Sequence, residues 1–310
     1  MRAITYSRYG GPEVLEPTDL PDPKVGPDSV LVRVRAASVN PVDWKVRAGY
    51  LDPLMDAVFP VTPGWDVAGV VERVGLDTPE LQVGDEVFGY VRKDVLGGSV
   101  AGGTFAELVA APVRTLARKP SAWSFEEAAA VPLAGLTAYQ TIRRAGLEPG
   151  QTVLVHAAAG GVGSFAVQLA RTLGARVIGT ASQTNHEFLR SLGAEPVTYG
   201  EGLADRVRAL APDGVDVVLD YVGGDAVDSA PDVLRDGGTI ASITDDRARE
   251  LGGHYVWVRP DAADLAELAR LGDAGELRPE IAEVFDLADA ADAHRLSESG
   301  HVRGKIVVRV

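Results

Sequence analysis

The 310-residue sequence has no cysteine at all. That absence excludes disulfides, thiolate zinc sites, iron–sulfur clusters and a cysteine nucleophile. Basic charge is also short. Lys and Arg total 30 against 44 Asp and Glu, a net charge of −14 with no basic block. Such a balance argues against nucleic acid and anionic membranes as partners. No apolar run approaches membrane-spanning length, and Met1-Arg2-Ala3-Ile4-Thr5-Tyr6 lacks the apolar core of a signal peptide. A soluble, cytoplasmic protein is expected. The five histidines include no pair at metal-motif spacing, and no G-x-S-x-G nucleophile elbow occurs. Hydrophobic residues at 46% and charged residues at 24% are ordinary for a globular chain, and the length suggests two domains.

The first third reads as β-structure. Residues 30–35, 67–74, 86–90 and 104–110 are short β-branched or alternating runs, punctuated by Gly10-Gly11-Pro12, residues 60–64, Gly97-Gly98 and Gly102-Gly103. Short strands between turn signals predict a compact, barrel-like β domain. The rhythm changes near Ser121 and Ser124, either of which can cap a helix with Glu126 and Glu127 in its first turn. Strands are then predicted at 152–156, 175–180, 215–219 and 238–243, with helices at 164–173 and 185–192. Alternation of this kind means parallel strands with crossover helices, a doubly wound sheet. Residues 254–258 are expected as its edge strand, residues 262–271 as a helix, and the terminal strand 305–310 as a return to the first domain.

His156-Ala157-Ala158-Ala159-Gly160-Gly161-Val162-Gly163 lies directly between a predicted strand and a predicted helix. Against the dinucleotide fingerprint it reads Ala158-x-Gly160-x-x-Gly163. Gly160 lets the backbone approach a pyrophosphate, Gly163 lets helix and strand pack closely, and the helix N-terminus offers free N–H groups. About 20 residues on, where NAD enzymes carry an acid for the ribose hydroxyls, the chain has Gly179-Thr180-Ala181-Ser182. No carboxylate there repels a 2′-phosphate, and Ser182, Thr184 and Asn185 are candidate donors to it. NADPH is therefore the expected cofactor.

Four further segments occur in order: Asn40-Pro41-Val42-Asp43-Trp44-Lys45, Pro63-Gly64-Trp65-Asp66-Val67-Ala68-Gly69, Leu133-Ala134-Gly135-Leu136-Thr137-Ala138, and the terminal Gly300-His301-Val302-Arg303-Gly304-Lys305. With the glycine-rich turn, they resemble the zinc-free quinone oxidoreductase (zeta-crystallin-like) branch of the medium-chain dehydrogenase/reductase superfamily over nearly the whole chain. The resemblance implies an α/β fold of two parts: a GroES-like β-barrel catalytic domain (1–121 and 262–310) and a doubly wound Rossmann NADP-binding domain (122–261). It also implies a homodimer paired through an edge strand, here residues 254–258.

The zinc branch places Cys where this chain has Asn40, and Gly-His-Glu where it has Gly64-Trp65-Asp66; its four-Cys lobe is missing here. No zinc is therefore expected. Oxidising a simple alcohol calls for a Lewis acid to hold an alkoxide. Reducing a quinone or an α,β-unsaturated carbonyl does not, because hydrogen-bond donors can hold the developing enolate or quinolate. The expected reaction is NADPH-dependent reduction of such a small molecule. An enoyl-thioester reductase of the same fold, and a cofactor-binding regulatory or structural protein without turnover, are the alternatives.

The resemblance also assigns roles. Asn40 would face the nicotinamide cleft and donate an amide N–H. Tyr50 would protonate an enolate or orient the acceptor. Trp65 and Tyr90 would line the substrate pocket, while Asp43 and Asp66 are read as loop braces. The cofactor would be met by Thr137, by Ala159, Gly160, Gly161, Val162 and Gly163, by Ser182, Asn185 and Tyr199, by Ser242, Ile243 and Thr244 at a strand end, and by Lys305. The substrate loops are expected at residues 50–59 and 93–103.

Overall fold

A computed structural model describes residues 1–97 and 102–310; residues 98–101 of the expected second substrate loop, with Gly98, lie outside the described residues. The chain divides into two compact units, Met1–Leu133 with Pro260–Val310, and Ala134–Arg259.

The first unit is built on a seven-stranded sheet. Its longest strand, Ser29–Val39, pairs antiparallel with Asp66–Val74, Leu108–Pro112 and the C-terminal Lys305–Arg309. Valines dominate because β-branched side chains fit a pleated face. Val30, Val32, Val34, Val67, Val71, Val87 and Val109 form one buried cluster. Each such side chain contributes about 1.5–3 kcal/mol on full burial. The strand expected at 104–110 begins only at Leu108. Upstream, Phe105 and Thr104 donate their N–H groups to Pro63 and Gly64 instead. This unit runs on to Leu133 rather than ending at 121. The helix Phe125–Ala129 packs on its strands and is closed by a capping box, in which Ser124 Oγ accepts the Glu127 N–H at 3.1 Å and a Glu127 carboxylate oxygen accepts the Ser124 N–H at 2.8 Å.

The second unit carries a six-stranded parallel sheet. Its order is Glu195–Val197, Arg176–Thr180, Thr152–Val155, Val215–Asp220, Leu234–Ser242, His254–Tyr255. Leu154, Ile178, Val218 and Ile240 are fully buried, as parallel strands covered on both faces require. The first of these strands in chain order, Thr152–Val155, lies inside the sheet with its successors on either side. That is the topological switch point where crevices open beyond the strands' C-terminal ends. The edge strand is confined to His254–Tyr255, shorter than the expected 254–258.

Candidate active site

The glycine-rich turn leaves the strand Thr152–Val155 at this switch point and enters the helix Gly161–Leu173. The helix begins at Gly161, not at 164. Ala157 adopts φ +50°, the left-handed region that disfavours a side chain, and is the sole non-glycine residue to do so among the described residues. The turn is held by Thr180, whose Oγ1 and carbonyl accept the N–H groups of Ala157 and Ala158 at 3.1 and 3.0 Å. Gly160 closes it by donating to Ala157 O at 2.9 Å. The N–H groups of Gly161, Val162 and Gly163 then stand at the helix start without intrahelical acceptors, and Ser164 is the first to bond back, to Gly160 O.

The two key glycines serve different ends. A Cβ on Gly163 would lie 2.2 Å from Ala157 O and 2.7 Å from Ala158 Cα, so only glycine permits this approach of helix to turn. A Cβ on Gly160 would meet nothing nearer than Ala157 O at 3.3 Å and would otherwise enter open space. As the N-cap of this helix, Gly160 therefore leaves space open at the helix N-terminus, which is what a pyrophosphate needs. Ala159 is buried beneath the turn. The residues present fit a bound dinucleotide.

Beyond the second strand, Ser182 Oγ lies 2.9 Å from Thr184 Oγ1 and accepts from Asn185 Nδ2 at 3.3 Å. These neutral groups are partly or fully exposed. Nearby Arg190 is paired with Glu187. Arg206 donates to the carbonyls of Thr198, Tyr199, Gly200 and Glu201, bracing the loop that presents Tyr199 at 57% exposure.

At the C-terminal end of Val215–Asp220, Asp220 is a hub absent from the sequence expectations. One carboxylate oxygen accepts the N–H groups of Val222 and Gly223, both at 2.9 Å; the other accepts Ser242 Oγ at 2.6 Å and Thr244 Oγ1 at 3.3 Å. Ser242 is fully buried, and its bond to Asp220 braces the loop. Ile243 is half-buried and Thr244 exposed. His156, buried beside Asp220, is pushed down to about 4 by desolvation against the pull of that carboxylate, so it is neutral at pH 7. Thr137 is buried inside the helix Pro132–Ala145 rather than at its start.

The first unit holds a buried polar cluster. Asn40 Nδ2 and Ser38 Oγ both donate to one carboxylate oxygen of Asp66 at 2.8 Å, and Leu133 N–H donates to the other at 2.8 Å. Asp43 accepts the Asn40 backbone N–H at 2.7 Å. Lys305 Nζ donates to Val39 O at 2.9 Å and to Asn40 Oδ1. Asn40, Asp43, Asp66 and Lys305 are all under 5% exposed. Burial pushes Asp43 up to about 7, with the Asn40 N–H and Lys305 opposing and Asp66 assisting. It also raises Asp66 and pulls the Lys305 ammonium down, each opposed by the other.

The expected site residues of this unit differ in their surroundings. Lys305, expected to meet the cofactor, is buried, and its Nζ donates to acceptors within its own unit. Asn40 has its oxygen held by Lys305 and one amide hydrogen by Asp66, so the expected donation falls to its second amide hydrogen. Tyr90 is fully buried, packed 6.1 Å from Trp65 between ring centroids, and belongs to the core. Trp65 is itself 5% exposed and walls a small cavity with Tyr6, Asp43, Thr62 and Leu96. Tyr50, by contrast, is 70% exposed with its ring edge-on to Trp44.

Comparisons with known proteins agree with this arrangement. Residues 26–121 match the alcohol dehydrogenase GroES-like domain, and residues 192–308 the family described as zinc-binding dehydrogenase. The 2-methylene-furan-3-one reductase of Solanum lycopersicum is 36% identical over 99% of this chain and 79% of its own length. An NADPH-dependent alkenal/one oxidoreductase of Arabidopsis thaliana has the same identity and coverage. The solved quinone oxidoreductase from Coxiella burnetii is 37% identical, covering 100% of this chain and 99% of that one, with a TM-score of 0.87. The chain belongs to the zinc-free quinone oxidoreductase branch of the medium-chain dehydrogenase/reductase superfamily. It is an oxidoreductase.

In this oxidoreductase, Asn40 and Asp66 offer an amide and a carboxylate already engaged in hydrogen bonds, and Trp65 an indole that cannot ligate. Among the described residues, no three His, Asp or Glu side chains converge as a metal ion would need, and no helix is long and apolar enough to cross a membrane. Asp220 could have been found in the sequence as the acid that ends a buried parallel strand. Arg206 gave no such signal, because its partners are backbone carbonyls.

Proposed function

We propose that the protein is an NADPH-dependent, metal-free reductase that transfers hydride to quinones or α,β-unsaturated carbonyls, acting as a cytoplasmic homodimer. One observation carries the reading: Gly160 leaves open space at the N-terminus of the helix Gly161–Leu173, and the loop after the next strand offers hydroxyls and an amide but no acid. The names of the Arabidopsis and tomato relatives support it.

The N–H groups of Gly161, Val162 and Gly163 would hold the pyrophosphate with the helix dipole behind them. Ser182, Thr184 and Asn185 would donate to the 2′-phosphate, and the exposed Tyr199 ring would cover the adenosine end. Thr137, Ile243 and Thr244 would meet the nicotinamide end. When bound, the cofactor supplies the hydride. Tyr50, whose phenol is accessible, would donate a hydrogen bond or proton to the oxygen on which negative charge develops. His254–Tyr255, at one edge of the parallel sheet, would pair the subunits.

The test is NADPH consumption by the purified protein with quinones, enones, alkenals and enoyl thioesters. Turnover with quinones or enones is expected. Turnover confined to enoyl thioesters would replace the acceptor class, and cofactor binding without consumption by any acceptor would overturn the reading.

A further inference from the structure

Lys305 belongs to the C-terminal strand, yet its chemistry is directed at Asn40. Pairing of Ile306 with Val39 in antiparallel register sets Lys305 opposite Asn40. There its Nζ donates to Asn40 Oδ1, while Asp66 accepts from Asn40 Nδ2 at 2.8 Å. A carboxamide has two nearly isosteric orientations, one with oxygen and nitrogen exchanged. A cation on one end and a carboxylate on the other permit only one of them, because the flipped amide would point its N–H groups at an ammonium and its oxygen at an anion. The same Asp66 anchors the Leu133 N–H near the start of the helix that carries Thr137. Lys305 and Asp66 are thus built as a pair around Asn40.

We propose that Lys305 is a positioning residue for the reduction: by holding the Asn40 oxygen opposite the Asp66 oxygen that holds its nitrogen, it fixes the Asn40 carboxamide in one orientation. The proposal rests on the reductase reading for its assay.

Its signature is the acid side of the pH profile. Asp66 holds the Asn40 amide best as a carboxylate, and the titratable groups around it are Lys305 from the C-terminal strand, Asp43 from the helix Pro41–Arg47 and the neutral Tyr90 from the neighbouring strand. Removing the ammonium leaves two buried acids facing each other, so Asp66 holds its proton to higher pH. In Lys305→Gln, kcat should fall tenfold or more at pH 7 with little change in the KM for NADPH. The acid limb of kcat should move up by a pH unit or more. The losses of Lys305→Gln and Asn40→Ala should not add in the double variant, since one acts through the other.

Should Lys305→Gln not fold, Ser38→Ala removes one hydrogen bond that favours ionised Asp66, and its acid limb should shift the same way by a smaller amount. A limb that stays in place in a folded variant, or additive losses, would overturn the proposal. A wild-type protein that consumes no NADPH would instead count against the reductase reading.

Discussion

Replacing Asp43 by asparagine should make the first unit less sensitive to alkali, by an amount the structure sets. The Asp43 carboxyl is 3% exposed and is pushed by burial from its ordinary 3.8 up to about 7. Between those values the folded chain keeps a proton that the unfolded chain has released. Folding stability therefore falls as pH rises through this window, and the favourable contribution is gone above about 7. From pH 5.5 to the folded value is about 1.5 pH units, which at about 1.36 kcal/mol each amounts to about 2 kcal/mol. The carboxamide of the Asp43→Asn variant would keep the shape, and its oxygen can still accept the Asn40 N–H, but it cannot titrate.

Urea unfolding at pH 5.5 and 8.5 measures the effect, and both values stay clear of the pI near 4.8. Tryptophan fluorescence reports chiefly on this unit, which contains Trp44, Trp65 and Trp123, leaving Trp257 in the other. Between the two pH values the wild type should lose about 2 kcal/mol more than Asp43→Asn. Titrations common to both proteins cancel in that difference. Equal losses in the two proteins would refute the assignment of a neutral-pH proton to Asp43.

The two glycines of the turn should separate on mutation. Gly163→Ala forces a Cβ against backbone atoms and should cost about 1–3 kcal/mol in thermal or urea unfolding, whereas Gly160→Val should leave circular dichroism unchanged and abolish measurable NADPH binding by titration. Cofactor choice should be modest, because Arg190 and Arg206 are engaged elsewhere and the proposed site leaves Ser182, Thr184 and Asn185 to meet a 2′-phosphate. One net charge-assisted hydrogen bond of about 1.5 kcal/mol gives roughly a tenfold preference in kcat/KM for NADPH over NADH, and Ser182→Asp should reverse it by repulsion.

The parallel sheet was legible in the sequence because its signals are local. A buried strand such as Thr152–Val155 is a continuous apolar run, and the glycines after it serve a turn only a few residues long. The capping box of Ser124 and Glu127 is equally local. The helix Pro41–Arg47 escaped for a different reason. At seven residues it is too short for an apolar stripe, and its signature is only the return of the Asp43 carboxylate to the Asn40 N–H.

The partners of Asn40 and Lys305 escaped the sequence because they are set by register rather than by neighbours in the chain. Nothing near Lys305 in sequence distinguishes a solvated strand-end lysine from a buried one. What distinguishes them is Asn40, 265 residues away, brought opposite by the pairing of the first long strand with the last. An ammonium is stable there only because Asp66 and two oxygen acceptors are waiting at the same depth, and Asp66 in turn is tolerable because Ser38, Asn40 and Leu133 donate to it. Each buried charge is thus conditional on strands that meet only in the folded chain. It follows that the C-terminal strand completes the polar interior of the catalytic unit as well as its sheet. Cutting the chain before Lys305 removes the cation along with a strand, and leaves Asp43 and Asp66 facing each other unbalanced.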